Sequence, residues 1–225
     1  MSEIIYSQNE EQTIIKKLLD KYNIKNMAVE IGINTGAKGN GKTLQGNTVS
    51  LRDSGWNCVW IDGRTQHHDV LHRMVYPENI QSILDEHVGH KQIGIFSIDI
   101  DSEDWHVVRK ILEGGRKPEV MLCETNAYID PMHDMVMPLG HRRSGRSKSR
   151  CHGASLTAFN NLLSLYGYSY FYTTGFGTNS FWIRSDLEPK SRAITEFKDR
   201  VNPVRTNWSR TNETDVWTTS KDLLA

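Results

Sequence analysis

The chain is poor in the features that most quickly assign a protein to a class. It has 225 residues but only three cysteines and six prolines. Cys58, Cys123 and Cys151 stand far apart, and an odd, widely spaced set makes neither a disulfide framework nor a structural zinc site. The first two lie in apolar runs, where a free thiol behaves as a small hydrophobe. No stretch approaches the roughly 18 apolar residues that a membrane span needs, and the start has no leader-peptide profile. Charge of one sign is also missing. With 27 Lys+Arg against 27 Asp+Glu the formal net charge is zero, so no global field points to nucleic acid or a membrane. These absences predict an ordinary globular, cytoplasmic chain with one full core.

What is present is a succession of short apolar runs that end in polar residues. Met27 to Gly36, MAVEIGINTG, reads as a buried strand running into a glycine-bearing turn. Asn47 to Gly55 is helix-compatible and leads to a second apolar run, Asn57 to Ile61, closed by Asp62-Gly63. Strand, glycine turn, helix, strand and terminal acid is how a Rossmann-like sheet holds the adenosine half of a cofactor, with the acid on the ribose hydroxyls. Ile93 to Ile100 is the next strand, with Asp99 and Asp101 at its end and both carboxylates expected on one side of the pleat. Ser102 is placed to cap a helix over 103–112. Glu119 to Cys123 is another strand, ending in Glu124-Thr125-Asn126. The sequence thus sends Glu30, Asp62, Asp99, Asp101, Glu124 and Asn126 to one rim, where ligands bind in open parallel sheets.

The remaining segments frame that rim. Ser7 to Lys21 carries a capping signature and helical spacing of Ile14, Ile15, Leu18 and Leu19. From Arg64 onward the chain reads as irregular until a helix after Pro77. Its histidines His67, His68, His72, His87 and His90 fit a solvated face more readily than a metal site. Gly153 to Gly167 is an amphipathic helix, and Tyr168–Thr173 with Ser180–Arg184 reads as a hairpin. A short helix is expected near 194–199. The predicted fold is therefore α/β, a Rossmann-like, mostly parallel sheet with helices on both faces and a C-terminal antiparallel hairpin strand. It occupies residues 1–187, and the extension 188–225 is pinned by Trp208 and Trp217 to the body or to a second subunit.

Two segments carry competing readings. Gly36 to Thr43 fits the phosphate-binding pattern G-x-x-x-x-G-K-[ST] of nucleotide hydrolases. Gly46 in what should be the first helical turn, and the late first glycine, favour a polar insertion beside a different cofactor site. The run His141 to Arg150, within a loop that also holds His133, reads as a solvated loop or as a clamp for an anionic acceptor such as a phosphorylated sugar. Tyr128 is the one nearby aromatic, so the stacking platform of a single-strand nucleic-acid binder is missing.

Taken together, SQNEEQTIIKKLL, EIGINTG, NTVSLRDSGWNCVWIDG, FSIDIDSEDWHVVRKIL, PEVMLCETN and GASLTAFNNLLSLYGY before NSFWIR resemble the class I S-adenosylmethionine-dependent methyltransferases. The similarity is greatest to FkbM-type and related bacterial and phage proteins, and it covers Tyr6 to Leu187. It implies seven strands with the last antiparallel, and S-adenosylmethionine as cofactor. The implied contacts are methionine-moiety contacts around Glu30, Gly32 and Asn34, ribose contact at Asp62 and adenine or methionine contacts near Asp99, with Gly36, Asn47, Thr48, Gly63 and Ile100 as further cofactor-binding candidates. This chain departs from the family by the insertion Ala37 to Gly46. By analogy with metal-dependent O-methyltransferases of the catechol type, Asp99, Asp101, Glu124 and Asn126 are expected to hold Mg or another divalent cation. Glutamate stands where the family has aspartate, and Thr125 intervenes. The expected catalytic set is Asp101, Glu124, Asn126 and His133, acting on an oxygen of a sugar or other small polar acceptor. Two alternatives stay open: a nucleotide hydrolase using Gly36 to Thr43, and a binding protein that keeps the fold without transferring a methyl group.

Overall fold

A computed structural model describes residues 4–35, 44–65, 67–141, 152–175, 177–194 and 217–225. Its strands are β1 (Met27–Ile31), β2 (Asn34–Thr35), β3 (Leu44–Gln45), β4 (Asn57–Asp62), β5 (Val70–His72), β6 (Ile95–Ile98), β7 (Val120–Glu124), β8 (Tyr168–Thr173) and β9 (Asn179–Arg184). Its helices are α1 (Glu11–Lys21), α2 (Val49–Asp53), α3 (Ile80–His87), α4 (Asp104–Glu113), α5 (Leu156–Leu165) and α6 (Ser220–Leu224).

Seven strands form one sheet in the order β5-β4-β1-β6-β7-β9-β8, parallel from β5 to β7 and antiparallel at β9 and β8. This is the expected Rossmann-like fold. The strand order reverses between β1 and β6, which opens a crevice at their carboxyl ends. Alternation assigns each residue to a face. Val29, Ile31, Phe96, Ile98, Met121 and Trp182 pack against α3, α4 and α5. Ala28, Ile95, Leu122, Phe181 and Ile183 pack against Ile14, Ile15 and Leu18 of α1. Because both faces are covered, β1 and β6 are buried along their whole length, which is why they read as unbroken apolar runs.

Four local expectations are corrected. Helix α1 starts at Glu11, because Ser7 Oγ accepts from Gln12 N while Glu10 accepts from the Tyr172 hydroxyl and Gly175 N. Strand β6 ends at Ile98. Asp99 N still bonds Ile31 O, but Asp101 is left-handed at φ 57°, so the alternation argument does not apply to this pair. Ser102 does not cap α4. Instead Asp104 reaches back to Ile100 N (2.8 Å) and Ser102 N (2.9 Å), the kind of local bond short acids form at turns. Val70 to His72, read as irregular, is the seventh strand, pairing with β4 from Trp60↔Val70 to Asp62↔His72.

The far end of the chain returns to the body. Thr218 bridges Val136, which also bridges Ala154. Asp134 accepts from Ser220 N (2.9 Å) and Lys221 N (3.3 Å) at the start of α6. Residues 195–199 of the helix expected near 194–199, Trp208 and the basic run from Arg142 lie outside the described residues. Among the described residues no helix is long and apolar enough to cross a membrane.

Candidate functional site

Register brings polar residues to one row at the carboxyl edge. Ala28, Ile95, Val120 and Ile183 are partners across the sheet, and two residues further on so are Glu30, Ser97, Leu122 and Phe181. The next row is Gly32, Asp99, Glu124 and Asn179, because Asp99 N continues the ladder onto Ile31 O (2.9 Å) and Glu124 pairs with Asn179. Gly32 sits at the reversal point with φ +91°, and a Cβ there would lie 1.5 Å from the Asp99 carbonyl oxygen. Glycine is required by both conformation and approach.

Beside this row, Glu30 is buried (4 % exposed) and accepts from Asn47 N (2.7 Å), Thr48 N (2.8 Å) and the Thr48 hydroxyl (2.6 Å). Burial pushes its carboxyl pKa up, and these bonds pull the other way. A side chain at Gly46 would meet the Glu30 oxygens at 2.7 and 2.9 Å. Asn47 then reaches Ser97 Oγ (3.1 Å), and Trp60 Nε1 donates to Thr48 Oγ1 (3.0 Å). Glu30 thus shapes the turn through Asn47 and Thr48. Asn34, in β2, is exposed, and Gly36 lies outside the described residues. At the end of β4, Asp62 Oδ1 accepts from Arg64 N (2.6 Å) and Thr65 N (2.5 Å). Gly63 lies against Met74, whose sulfur would stand 1.9 Å from an added Cβ.

The acidic part of the row is electrostatically strained. Burial, and after it the negative charge of Asp104, pushes Asp99 up to about 7, while its hydrogen bond with Glu124 lowers it. Burial first, then Asp99, drives Glu124 well above the usual carboxylate range. Burial also carries Asp104 to about 6, against the backbone bonds it accepts. A proton shared between Asp99 and Glu124, or a cation in its place, would relieve this repulsion.

Ligand atoms of Asp101, Glu124 and His152 all lie within 4.8 Å of one another. His152 is absent from the set read off the sequence. It is held by its backbone: Asn126 Nδ2 donates to His152 O (2.9 Å), Gly153 N to Ser102 O (2.7 Å) and Asn126 N to Ala154 O (2.8 Å). Asn126 Oδ1 accepts from Tyr128 N (3.0 Å), so its amide is engaged in holding backbone on both sides. Asn126 and His152 stand 26 residues apart, and nothing in the local sequence marks them as neighbours. His133 is exposed, on a turn closed onto Asp130 O, and is not among the grouped ligand atoms. Ile100 contributes its backbone to the Asp104 turn. A second group, His67, His68 and Asp69, is also compact, but Asp69 is paired to Arg52 at 3.1 Å.

No protein-family model matches the sequence, and no curated protein matches it. Among solved structures, the chain is similar to the MycE methyltransferase from the mycinamycin biosynthetic pathway in complex with Mg, SAH and mycinamycin VI, at 13% identity and a TM-score of 0.44. A second crystal form of MycE, with Mg and SAH, matches at 12% identity and a TM-score of 0.44. Each match covers 80% of this chain and 50% of the other, so the chain spans about half the length of the structures it resembles.

The phosphate-loop pattern can be set against its flanks. Residues 36–43 lie outside the described residues, but β2 before them and β3 after them pair antiparallel, Thr35↔Leu44 and Asn34↔Gln45. A nucleotide-hydrolase loop runs directly from its lysine and hydroxyl into a helix, whereas here a strand follows Thr43 and α2 begins only at Val49.

Proposed function

We propose that the protein is an S-adenosylmethionine-dependent methyltransferase that acts on an oxygen of a sugar or other small polar acceptor, assisted by a divalent cation. One observation carries the reading. The Gly32–Asp99–Glu124 row joins the reversal point of a seven-stranded sheet to a compact Asp101, Glu124 and His152 set. Seven strands with an antiparallel end are also what the sequence resemblance implied.

The residues fit both groups. On the cofactor side, a glycine without room for Cβ lets backbone approach closely at Gly32, and Asn34 and Asp62 offer polar atoms beside it. Asn47 and Thr48, set by Glu30, line the same turn. Bound S-adenosylmethionine would supply an electrophilic methyl group. On the acceptor side, the two carboxylates supply oxygen ligands that suit Mg and Mn, and the imidazole adds a nitrogen that a first-row ion such as Mn accepts more readily than Mg. A cation held there would lower the pKa of the acceptor hydroxyl. Asp99, hydrogen-bonded to Glu124 beside this set, is the carboxylate placed to receive the hydroxyl proton. Asn126 holds His152 in place through the backbone. Helix α1 reaches the row through Glu11, which accepts from Asn179 Nδ2.

The test is transfer of labelled methyl from S-adenosylmethionine to a panel of free and phosphorylated sugars, with Mg or Mn added or with excess chelator. The expected result is cation-dependent transfer that Asp99→Asn lowers by about 100-fold or more, in the range of a lost acid–base group. Unchanged turnover in chelator would remove the cation from the mechanism. Cofactor binding with no acceptor methylated across the panel would favour a non-catalytic binding protein.

A further inference from the structure

We propose that Asn179 is a ligand of the divalent cation and supplies its amide oxygen beside Glu124; this rests on the cation-assisted reading above. Asn126 and Asn179 both stand near Glu124, and their hydrogen bonds distinguish them. The amide of Asn126 is taken up by His152 O and Tyr128 N. Asn179 is 5 % exposed, and its Oδ1 is buried without a hydrogen-bond partner. Buried polar atoms are paired almost everywhere in folded proteins, and an exception points to a missing water, ion or ligand.

The orientation of this amide is determined by its other end. Asn179 Nδ2 donates to Glu11 Oε1 at 2.7 Å. Glu11 is fully buried and is itself fixed by Asn9 N (2.8 Å) and Asn9 Nδ2 (3.1 Å). A carboxylate accepts only, so a flipped amide would set oxygen against oxygen. The oxygen is therefore Oδ1, and it is held in place. Its neighbour follows from the register. Thr125 N donates to Thr178 O (2.6 Å), which makes the adjacent Glu124↔Asn179 position the close, non-hydrogen-bonded kind. There the Cα atoms approach to about 4.5 Å and the side chains stand side by side.

Glu124 and Asn179 thus share one face of the sheet, next to each other, and Glu124 belongs to the compact set with Asp101 and His152. Three protein ligands leave positions open on a cation that takes six. Two oxygen acceptors placed together, one of them without a donor, are the surroundings that a hard cation fills. The chemical class is Mg or Mn, and Asn179 takes the part that the sequence pattern gave to Asn126.

The experiment uses the full chain and Mn as probe. Calorimetry and water-proton relaxation would follow Mn binding to the wild type, Asn179→Leu and Glu124→Gln. The expected result is binding by the wild type, at least a tenfold loss with one extra bound water in Asn179→Leu and loss in Glu124→Gln. Anomalous diffraction from Mn-soaked wild-type crystals, which needs no variant to fold, should place the metal about 2.0–2.6 Å from Asn179 Oδ1. Affinity unchanged in Asn179→Leu while Glu124→Gln loses it, or a metal peak beyond bonding distance of Oδ1, would overturn the assignment and leave the cation reading standing. No Mn binding by the wild type would overturn both.

Discussion

Glu30 commits both of its oxygens to the backbone and hydroxyl of the turn after β3, and that commitment is measurable. Removing the carboxylate in Glu30→Ala leaves two buried N–H groups, Asn47 N and Thr48 N, without acceptors. Each orphaned buried donor costs about 1–3 kcal/mol, so urea unfolding should report a loss of roughly 2–6 kcal/mol. Gly32→Ala is expected to be as severe for a different reason. Its Cβ would lie 1.5 Å from the Asp99 carbonyl at a φ of +91°. The β1–β6 edge must therefore open, and proton exchange at Asp99 N, which bonds Ile31 O, should accelerate with it.

His106 gives a pH test at the same scale. It is buried with Nε2 2.8 Å from Met137 O, and burial pushes its pKa below the ordinary value. With the folded value depressed, its contribution is fully present above the unfolded pKa of about 6.5 and is lost as pH falls toward the folded value. Asp99, Asp104 and Glu124 have raised values and act in the opposite sense, so the wild-type profile alone mixes the two. The difference in stability between wild type and His106→Gln isolates the histidine. It should be largest above pH 7 and shrink as pH drops to 5; a constant difference would contradict the assignment.

At the scale of elements, apolar runs covered on both faces were legible. Strands β1, β4, β6 and β7, the hairpin of β8 and β9 and helix α5 lie within a few residues of where the pattern put them. Ends were less legible, because tertiary partners set them: Glu10 turns to Tyr172 and Gly175, and Asp104 to Ile100 and Ser102. Strand β5 was missed because three residues at a sheet edge, Val70 to His72, show no period of their own. Helix α6 is short and depends on its docking. Asp134→Ala removes the acceptor of Ser220 N and Lys221 N, a cap worth about 1 kcal/mol. Hydrogen exchange in residues 217–225 should rise in that variant while the sheet stays protected. Val136 joins Thr218 to Ala154, so added mobility in that segment should also spread toward His152.

At the scale of the molecule, the sequence could identify the rim but not its inner contacts. Strand-end acids could be counted along the chain, and their shared edge follows from a parallel sheet. That Asn126 holds His152, that His133 stands apart from the grouped ligands and that Asn179 lies opposite Glu124 depend on cross-strand register and on a returning loop. No local pattern encodes these. The central claim is that the crevice between β1 and β6 holds S-adenosylmethionine. Calorimetric titration of the full chain with S-adenosylmethionine, and with ATP as comparison, tests it most directly. One-to-one binding of S-adenosylmethionine that weakens at least tenfold in Asp62→Ala and is indifferent to Lys42→Ala is the predicted result. Tight ATP binding abolished by Lys42→Ala, with no heat from S-adenosylmethionine, would contradict it.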